Sequence, residues 1–157
     1  MKLVGQLDNR PDPAQPKKKV LYVEDEEANL DVARICLEKK YDLLLARNDR
    51  EACQILTQYG DEIAIILMDI ELKNSKLDGI QLTKLIRGKL DRDTLPEYAR
   101  SVPVLKTPAI FVTAYGDKYK TPSIKEAGGD RMIPKPVDFV ELEMAMVQVN
   151  LSKLQKK

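Results

Sequence analysis

The chain alternates between short apolar runs rich in β-branched residues and longer amphipathic segments, and this alternation limits the folds it can adopt. The apolar runs are Val20 to Val23, Leu43 to Leu45, Ile63 to Met68, Ala109 to Val112 and, more weakly, Met132-Ile133. Runs of this length predict strands that are buried on both faces. Such strands, alternating with helices, are typical of a parallel sheet covered on both sides. We therefore predict an α/β domain with a doubly wound, five-stranded parallel sheet and helices on both faces.

The amphipathic segments predict the helices and their buried faces. Their apolar residues recur at spacings of three, four and seven, which places each set on one helical face. The predicted buried sets are Leu30, Ala33 and Leu37; Ala52, Ile55, Leu56 and Tyr59; Leu82, Leu85 and Ile86; and Val140, Met144, Val147 and Leu151. A further, short helix is predicted to begin with Thr121 as N-cap and Pro122 as first residue, and to end at Gly128-Gly129.

The domain is predicted to span residues 18–151. Residues 1–17 are rich in proline and poor in apolar side chains, which is typical of a flexible lead-in. Residues 88–107 are charged, contain Pro96 and Pro103, and are longer than most loops of compact domains. We expect an insertion there, part of it extending the third helix and the rest a surface excursion. The remaining 152–157 form a tail too short for an output domain.

The composition argues against several classes of partner and site. The 157 residues carry a net charge of +1, which provides no basic field for nucleic acid. The longest apolar run is too short to span a bilayer and no signal-peptide core follows Met1, so we expect a cytoplasmic protein without a membrane partner. With two cysteines and no histidine, a zinc site or disulfide framework is not expected. Nucleotide-binding glycine motifs are also missing from the sequence.

Polar residues follow four of the five predicted strands. Glu24-Asp25 follows the first strand, Asp69 the third, Thr113 the fourth and Lys135 the fifth. Any one of them has an ordinary explanation as a helix cap or loop residue. In an open parallel sheet, however, the carboxyl ends of the strands line one edge, and right-handed crossovers bring these positions together. Polar residues after four strands, in this order along the chain, predict a functional site at that edge.

The residue types at this edge indicate phosphoryl transfer to a carboxylate. Crowded carboxylates raise one another's pKa unless a cation joins them, and oxygen ligands without His or Cys favour Mg²⁺. We expect Glu24, Asp25 and Asp69 to bind that ion, which with Lys135 brings the formal charge to zero. Asp69 is then the predicted nucleophile that forms an acyl phosphate. Lys135 neutralises the phosphoryl oxygens, and Thr113 donates a hydrogen bond to one of them.

Six motifs carry a resemblance to a known family. They are VLYVEDEEAN (20–29), LMDIEL (67–72), LDG (77–79), TPAIFVTA (107–114), AGGD (127–130) and Pro134-Lys135-Pro136. In these motifs and in their order, the chain resembles the receiver domains of two-component response regulators, from roughly Lys18 to Leu151. The resemblance implies a flavodoxin-like strand order 2-1-3-4-5.

The resemblance also implies a role for each site residue. Glu24 and Asp25 correspond to the metal-binding acidic pair, and Asp69 to the phosphoacceptor. The backbone carbonyl of Glu71 would bind Mg²⁺, and Thr113 and the backbone of Ala114 would contact the phosphate. Lys135 would be the phosphate-contacting lysine, followed by a cis bond to Pro136.

By this resemblance, the chain is a single-domain response regulator of a phosphorelay, similar to the chemotaxis receiver. It would accept a phosphoryl group from a histidine kinase or phosphotransfer protein and signal to an unknown downstream protein by binding or onward transfer. It would be a phosphoacceptor, with possible self-catalysed phosphorylation and dephosphorylation, rather than an enzyme.

Three departures from the family keep alternatives open. The loop after Asp69 is about two residues longer than in the family and has Leu72-Lys73 where the family has Met-Pro. Met132 stands where the family has an aromatic residue or histidine. Pro122 shortens the fourth helix. The alternatives are a phospho-independent interaction module and a receiver fragment of a hybrid histidine kinase. An aspartyl-phosphate hydrolase fits less well, because its nucleophile follows the first strand and Glu71 stands where its pattern requires Asp.

Overall fold

The structure, a computed structural model, describes residues 16–114 and 121–155. The strands are β1 (Lys18–Val23), β2 (Tyr41–Ala46), β3 (Ile63–Asp69), β4 (Ala109–Thr113) and β5 (Arg131–Pro134). The helices are α1 (Glu27–Leu37), α2 (Asp49–Tyr59), α3 (Gly79–Ile86), α4 (Thr121–Ala127) and α5 (Phe139–Gln155). Most of the predicted lead-in lies outside the described residues. Helix α5 continues four residues beyond the predicted domain end at 151.

The strands of the described residues form one parallel sheet in the order β2-β1-β3-β4-β5, which confirms the predicted fold class and strand order. Val23 at the end of β1 pairs with Met68, and Asp69 at the end of β3 pairs with Val112. Thr113 at the end of β4 pairs with Pro134. The register therefore brings the carboxyl ends of β1, β3, β4 and β5 to the same edge of the sheet.

Strand β1 illustrates why the sheet is covered on both faces. Leu21 and Val23 pack in a core cluster with residues of α2, α3 and α4. Val20 and Tyr22, which alternate with them, pack in a second cluster with residues of α1 and α5. All four are at most 1% exposed, and burial of such a side chain contributes about 2 kcal/mol to folding. This two-sided packing holds the strand ends in fixed positions.

The predicted buried face of α5 is wrong. Val140, Met144, Val147 and Leu151 are 53–72% exposed, and the helix instead buries Leu142, Ala145, Met146 and Val149. Both sets have helical spacing, so periodicity alone does not select between them. The structure uses the face with the small Ala145, which allows close approach to the sheet. The predicted faces of α1 and α3 are buried, and the short α4 is confirmed.

The insertion at 88–107 differs from the predicted surface excursion. Helix α3 ends at Ile86, before Gly88 with its positive φ of 71°, so the insertion does not extend it. Two 3-10 turns, Arg92–Thr94 and Glu97–Ala99, shape the segment. Its four core residues are Leu95, Ala99, Val102 and Leu105, each at most 7% exposed. The insertion is therefore packed into the α2–α3 side of the core.

Candidate functional site

A half-buried ammonium group joins two buried carboxylates at the carboxyl edge of the sheet. The Nζ of Lys135 lies 2.6 Å from Glu24 Oε1 and 3.0 Å from Asp69 Oδ2. Glu24 is fully buried and Asp69 is 5% exposed. One carboxylate oxygen from each of Glu24, Asp25 and Asp69 lies within 4.8 Å of the others. The structure thus brings together the predicted acidic pair, phosphoacceptor and lysine.

Backbone hydrogen bonds fix the segments that carry these side chains. The N–H of Glu24 donates to the carbonyl of Ala46 at 2.9 Å, which continues the β1–β2 pairing by one residue. The N–H of Lys135 donates to the carbonyl of Thr113, also at 2.9 Å. Glu24 and Lys135 therefore extend directly from the sheet. The peptide bond between Lys135 and Pro136 is cis, as the resemblance implies.

The electrostatics of the cluster show a shortage of positive charge. Burial, followed by the hydrogen bond and the repulsion from Glu24, raises the pKa of Asp69 to about 7. Burial also opposes ionisation of Glu24, but hydrogen bonds from Asp69, Lys135 and Asn29 outweigh it and lower the pKa of Glu24. One ammonium group therefore lies between two carboxylates whose pKa values shift in opposite directions, down for Glu24 and up for Asp69.

The residues present fit a magnesium ion. The ligand set of Glu24, Asp25 and Asp69 consists of carboxylate oxygens, which Mg²⁺ prefers, and Mg²⁺ needs only one or two direct carboxylates. The three carboxylates and Lys135 sum to a formal charge of −2, which a divalent cation cancels. A cation beside Asp69 would favour its ionised form, the form that acts as a nucleophile. Receiver domains generally bind Mg²⁺ through such an acidic cluster.

A cleft of about 540 Å³ opens over these groups. Its lining includes Asp25, Asn29, Asp69, Glu71, Ala114 and Lys135. Thr113, the last residue of β4, is 1% exposed and stands next to Ala114 in the chain. The structure therefore places Glu71 and Ala114 at the cleft, whereas their backbone contacts to metal and phosphate stay predictions.

Two contacts of the acidic pair were not predicted from the sequence. The side-chain amide of Asn29, in the first turn of α1, donates to Glu24 Oε1 at 2.8 Å. The backbone N–H of Lys73 donates to Asp25 Oδ2 at 2.8 Å. Asn29 could have been found from its position, since it lies early in the helix that starts after the acidic pair. The sequence carries no signal for Lys73, because its contact is through the backbone.

Of the predicted departures from the family, Leu72 and Lys73 line the cleft. Met132 is half-buried and pairs with Phe111 in the β4–β5 register, so it fills part of the core. Residues 115–120, which link β4 to α4, lie outside the described residues. The predicted change in the output face at Met132 and Pro122 therefore stays a prediction.

Comparisons with known proteins agree with this geometry. A family model described as the response regulator receiver domain matches residues 20–147. The polar-differentiation response regulator DivK of Brucella anthropi is 32% identical over 128 residues, which cover 79% of this chain and 91% of that protein. A probable histidine kinase of rice (Oryza sativa subsp. indica) is 28% identical over 156 residues, covering 87% of this chain but only 16% of the kinase.

Solved structures show the same fold at lower identity. A CheY-like receiver domain protein from Methanospirillum hungatei matches 90% of this chain and all of its own, with a TM-score of 0.69 and 22% identity. A receiver domain protein from Clostridium thermocellum matches 88% of this chain and 98% of its own, with a TM-score of 0.70 and 21% identity. Within residues 16–114 and 121–155, no helix is long and apolar enough to cross a membrane.

Receiver domains are signalling phosphoacceptors that interact with histidine kinases or downstream proteins. The family model covers most of this chain, and DivK is similar over nearly its whole length. The chain belongs to the response regulator receiver domain family.

Proposed function

We propose that this chain accepts a phosphoryl group on Asp69 from a histidine kinase or phosphotransfer protein in the cytoplasm. It then signals by protein–protein interaction or by onward phosphotransfer, without acting as an enzyme on other substrates. The observation that carries this proposal is the Lys135 ammonium group held between the buried carboxylates of Glu24 and Asp69, next to Asp25.

The proposed step is a transfer between two nucleophiles. A carboxylate oxygen of Asp69 bonds to phosphorus while the bond from phosphorus to the donor's imidazole nitrogen breaks, and that nitrogen keeps the electron pair. Lys135 stabilises the charge on the phosphoryl oxygens, and the Thr113 hydroxyl and the Ala114 backbone N–H donate to them. Asn29 holds Glu24 in the orientation that faces the site.

Glu24, Asp25, Asp69 and the backbone carbonyl of Glu71 would hold Mg²⁺. When bound, Mg²⁺ supplies positive charge that shields the approach of the anionic donor to the carboxylates. The protein's own contribution is to hold its oxygen ligands close together on rigid strand ends.

Two alternatives rest on particular observations. Met132 packs into the core in place of an aromatic switch residue, which favours a phospho-independent interaction module. The similarity to a short part of a rice histidine kinase favours a receiver that works as one part of a hybrid kinase. In that second case Asp69 keeps the same role and only its neighbours in the relay differ.

Incubation with acetyl phosphate and Mg²⁺ tests the proposed function. We expect intact-mass spectrometry to show an adduct of one phosphoryl group that is stable in acid and lost in base, because an acyl phosphate behaves in this way. Asp69→Asn keeps the size and shape of the side chain and serves as the matched control without an adduct. A wild-type protein that takes up no phosphoryl group would contradict the proposal and support the phospho-independent module.

A further inference from the structure

A third buried carboxylate, that of Asp49, lies outside the acidic cluster and accepts hydrogen bonds from three parts of the chain. Asp49 is the first residue of α2 and is 3% exposed. Its Oδ2 accepts hydrogen bonds from the backbone N–H groups of Lys76 and Leu77, both at 3.0 Å, and from the hydroxyl of Tyr98. Its Oδ1 accepts from the N–H of Arg50 at 2.9 Å. Only that last bond belongs to the start of the helix, so capping of α2 explains the smaller part of this arrangement.

The insertion at 88–107 supplies the Tyr98 hydroxyl. Tyr98 lies in the second 3-10 turn, between buried residues that fix this segment to the core. The guanidinium group of Arg50 lies over its ring, 4.9 Å from the ring centre. Burial and the hydrogen bond to Asp49 raise the pKa of Tyr98, so its hydroxyl keeps the proton that it donates. The insertion thus presents a fixed donor to Asp49.

The β3–α3 loop, residues 70–78, is tied to both acidic centres. On one side, the N–H of Lys73 donates to Oδ2 of the metal-binding candidate Asp25. On the other side, Lys76 and Leu77 donate to Asp49, and Ser75 Oγ accepts from the N–H of Asp49 at 3.0 Å. These contacts hold the loop at both ends of the five-residue stretch 73–77. They keep the Lys73 N–H in one orientation, and the Asp25 carboxylate that accepts from it is oriented as well.

We propose that Asp49 and Tyr98 are positioning residues through which the insertion holds the β3–α3 loop and orients Asp25 for Mg²⁺. The inference rests on the proposed function, because it assigns a purpose to the orientation of a metal ligand. It also gives the insertion a role: the resemblance implies a loop about two residues longer than in the family, and the insertion provides an additional anchor for it. Partners that orient metal ligands change metal affinity substantially when they are removed.

Removing the Tyr98 hydroxyl tests this role with little change in packing. We expect Tyr98→Phe to raise the dissociation constant for Mg²⁺ about fivefold, measured by calorimetry, since Tyr98 acts on Asp25 through the loop and not directly. We also expect faster hydrogen exchange at the amides of Lys76 and Leu77 in the absence of Mg²⁺. The matched control is Tyr59→Phe. Tyr59 packs against the same core cluster as Tyr98 but lies at the end of α2 opposite Asp49.

A second variant acts from the side of the loop. Ser75→Ala removes the acceptor for the Asp49 N–H and is expected to raise the Mg²⁺ dissociation constant in the same direction. If both variants fold and bind Mg²⁺ with wild-type affinity, the inference is wrong while the proposed function stands. A wild-type protein that binds no Mg²⁺ would instead overturn the proposed metal site, and this inference with it. A change in thermal stability without a change in Mg²⁺ affinity would show that Tyr98 serves folding alone.

Discussion

Replacing Asp25 with Ala is expected to weaken Mg²⁺ binding about 100-fold. Removing a residue that only supports a metal ligand lowers metal affinity by up to about 100-fold, and Asp25 is itself a proposed ligand. Asp25 is one of three carboxylates whose oxygens converge within 4.8 Å, and Mg²⁺ takes few direct carboxylates, so each contributes strongly. Asp25 is only half-buried, so the substitution leaves a small cavity and the fold is retained. Calorimetric titration of the purified protein with MgCl₂ measures the effect.

The control for this variant is Asp31→Ala. Asp31 is an exposed carboxylate on α1 that pairs with Arg34, so its removal changes the net charge equally without touching the cleft. We expect Mg²⁺ affinity close to that of the wild type in this control. Unchanged affinity in Asp25→Ala as well would mean that the acidic pair has been assigned wrongly.

Gly79→Ala is expected to destabilise the protein by about 3 kcal/mol, near the top of the usual range for an overpacked position. The residue begins α3, and its N–H donates to the carbonyl of Ile70 at 2.8 Å. An added Cβ would overlap the carbonyl oxygen of Asp69 and approach Ile70 Cα to 2.8 Å. Both neighbours are backbone atoms at the end of a central strand, so they move only if the strand moves. Urea unfolding measures the change in free energy.

The comparison for this variant is Gln81→Ala. Gln81 completes the capping box of α3, in which its side chain accepts from the N–H of Asp78. Its loss weakens the start of the same helix without a clash and is expected to cost about 1 kcal/mol. If Gly79→Ala costs no more than Gln81→Ala, the close approach of α3 to the phosphoacceptor strand does not constrain this position.

The sheet and its reactive edge could be predicted from the sequence because both depend on short-range patterns. The run Ile63 to Met68 is apolar throughout, which indicates a strand buried on both faces, and Asp69 directly follows it. Parallel pairing then fixes the relative positions of Glu24 and Lys135 without further information. The motifs of the receiver family added the roles of individual residues to this geometry.

The features that were missed depend on contacts between distant parts of the chain or on a choice between equivalent patterns. The hydrogen bond between Tyr98 and Asp49 spans 49 residues, and neither residue belongs to a motif. The two apolar faces of α5 are equally periodic, and the position of the helix against the sheet decides which one is buried. The insertion is predicted at the surface because it is rich in charged residues and prolines. Its four core residues, such as Leu95 and Val102, are separated in the sequence and form no recognisable apolar pattern.

The base of the insertion has a consequence for engineering. Arg87 donates from its two terminal nitrogens to the carbonyls of Leu105 and Thr107, both at 2.7 Å, and so clasps the end of the insertion to its beginning. With the two ends joined, the length between them affects loop-closure entropy only weakly. The insertion can therefore be exchanged as a cassette without displacing β4, provided that the replacement keeps the four core residues Leu95, Ala99, Val102 and Leu105. A cassette that keeps these residues but lacks a tyrosine at position 98 would retain the fold and release the β3–α3 loop over the cleft.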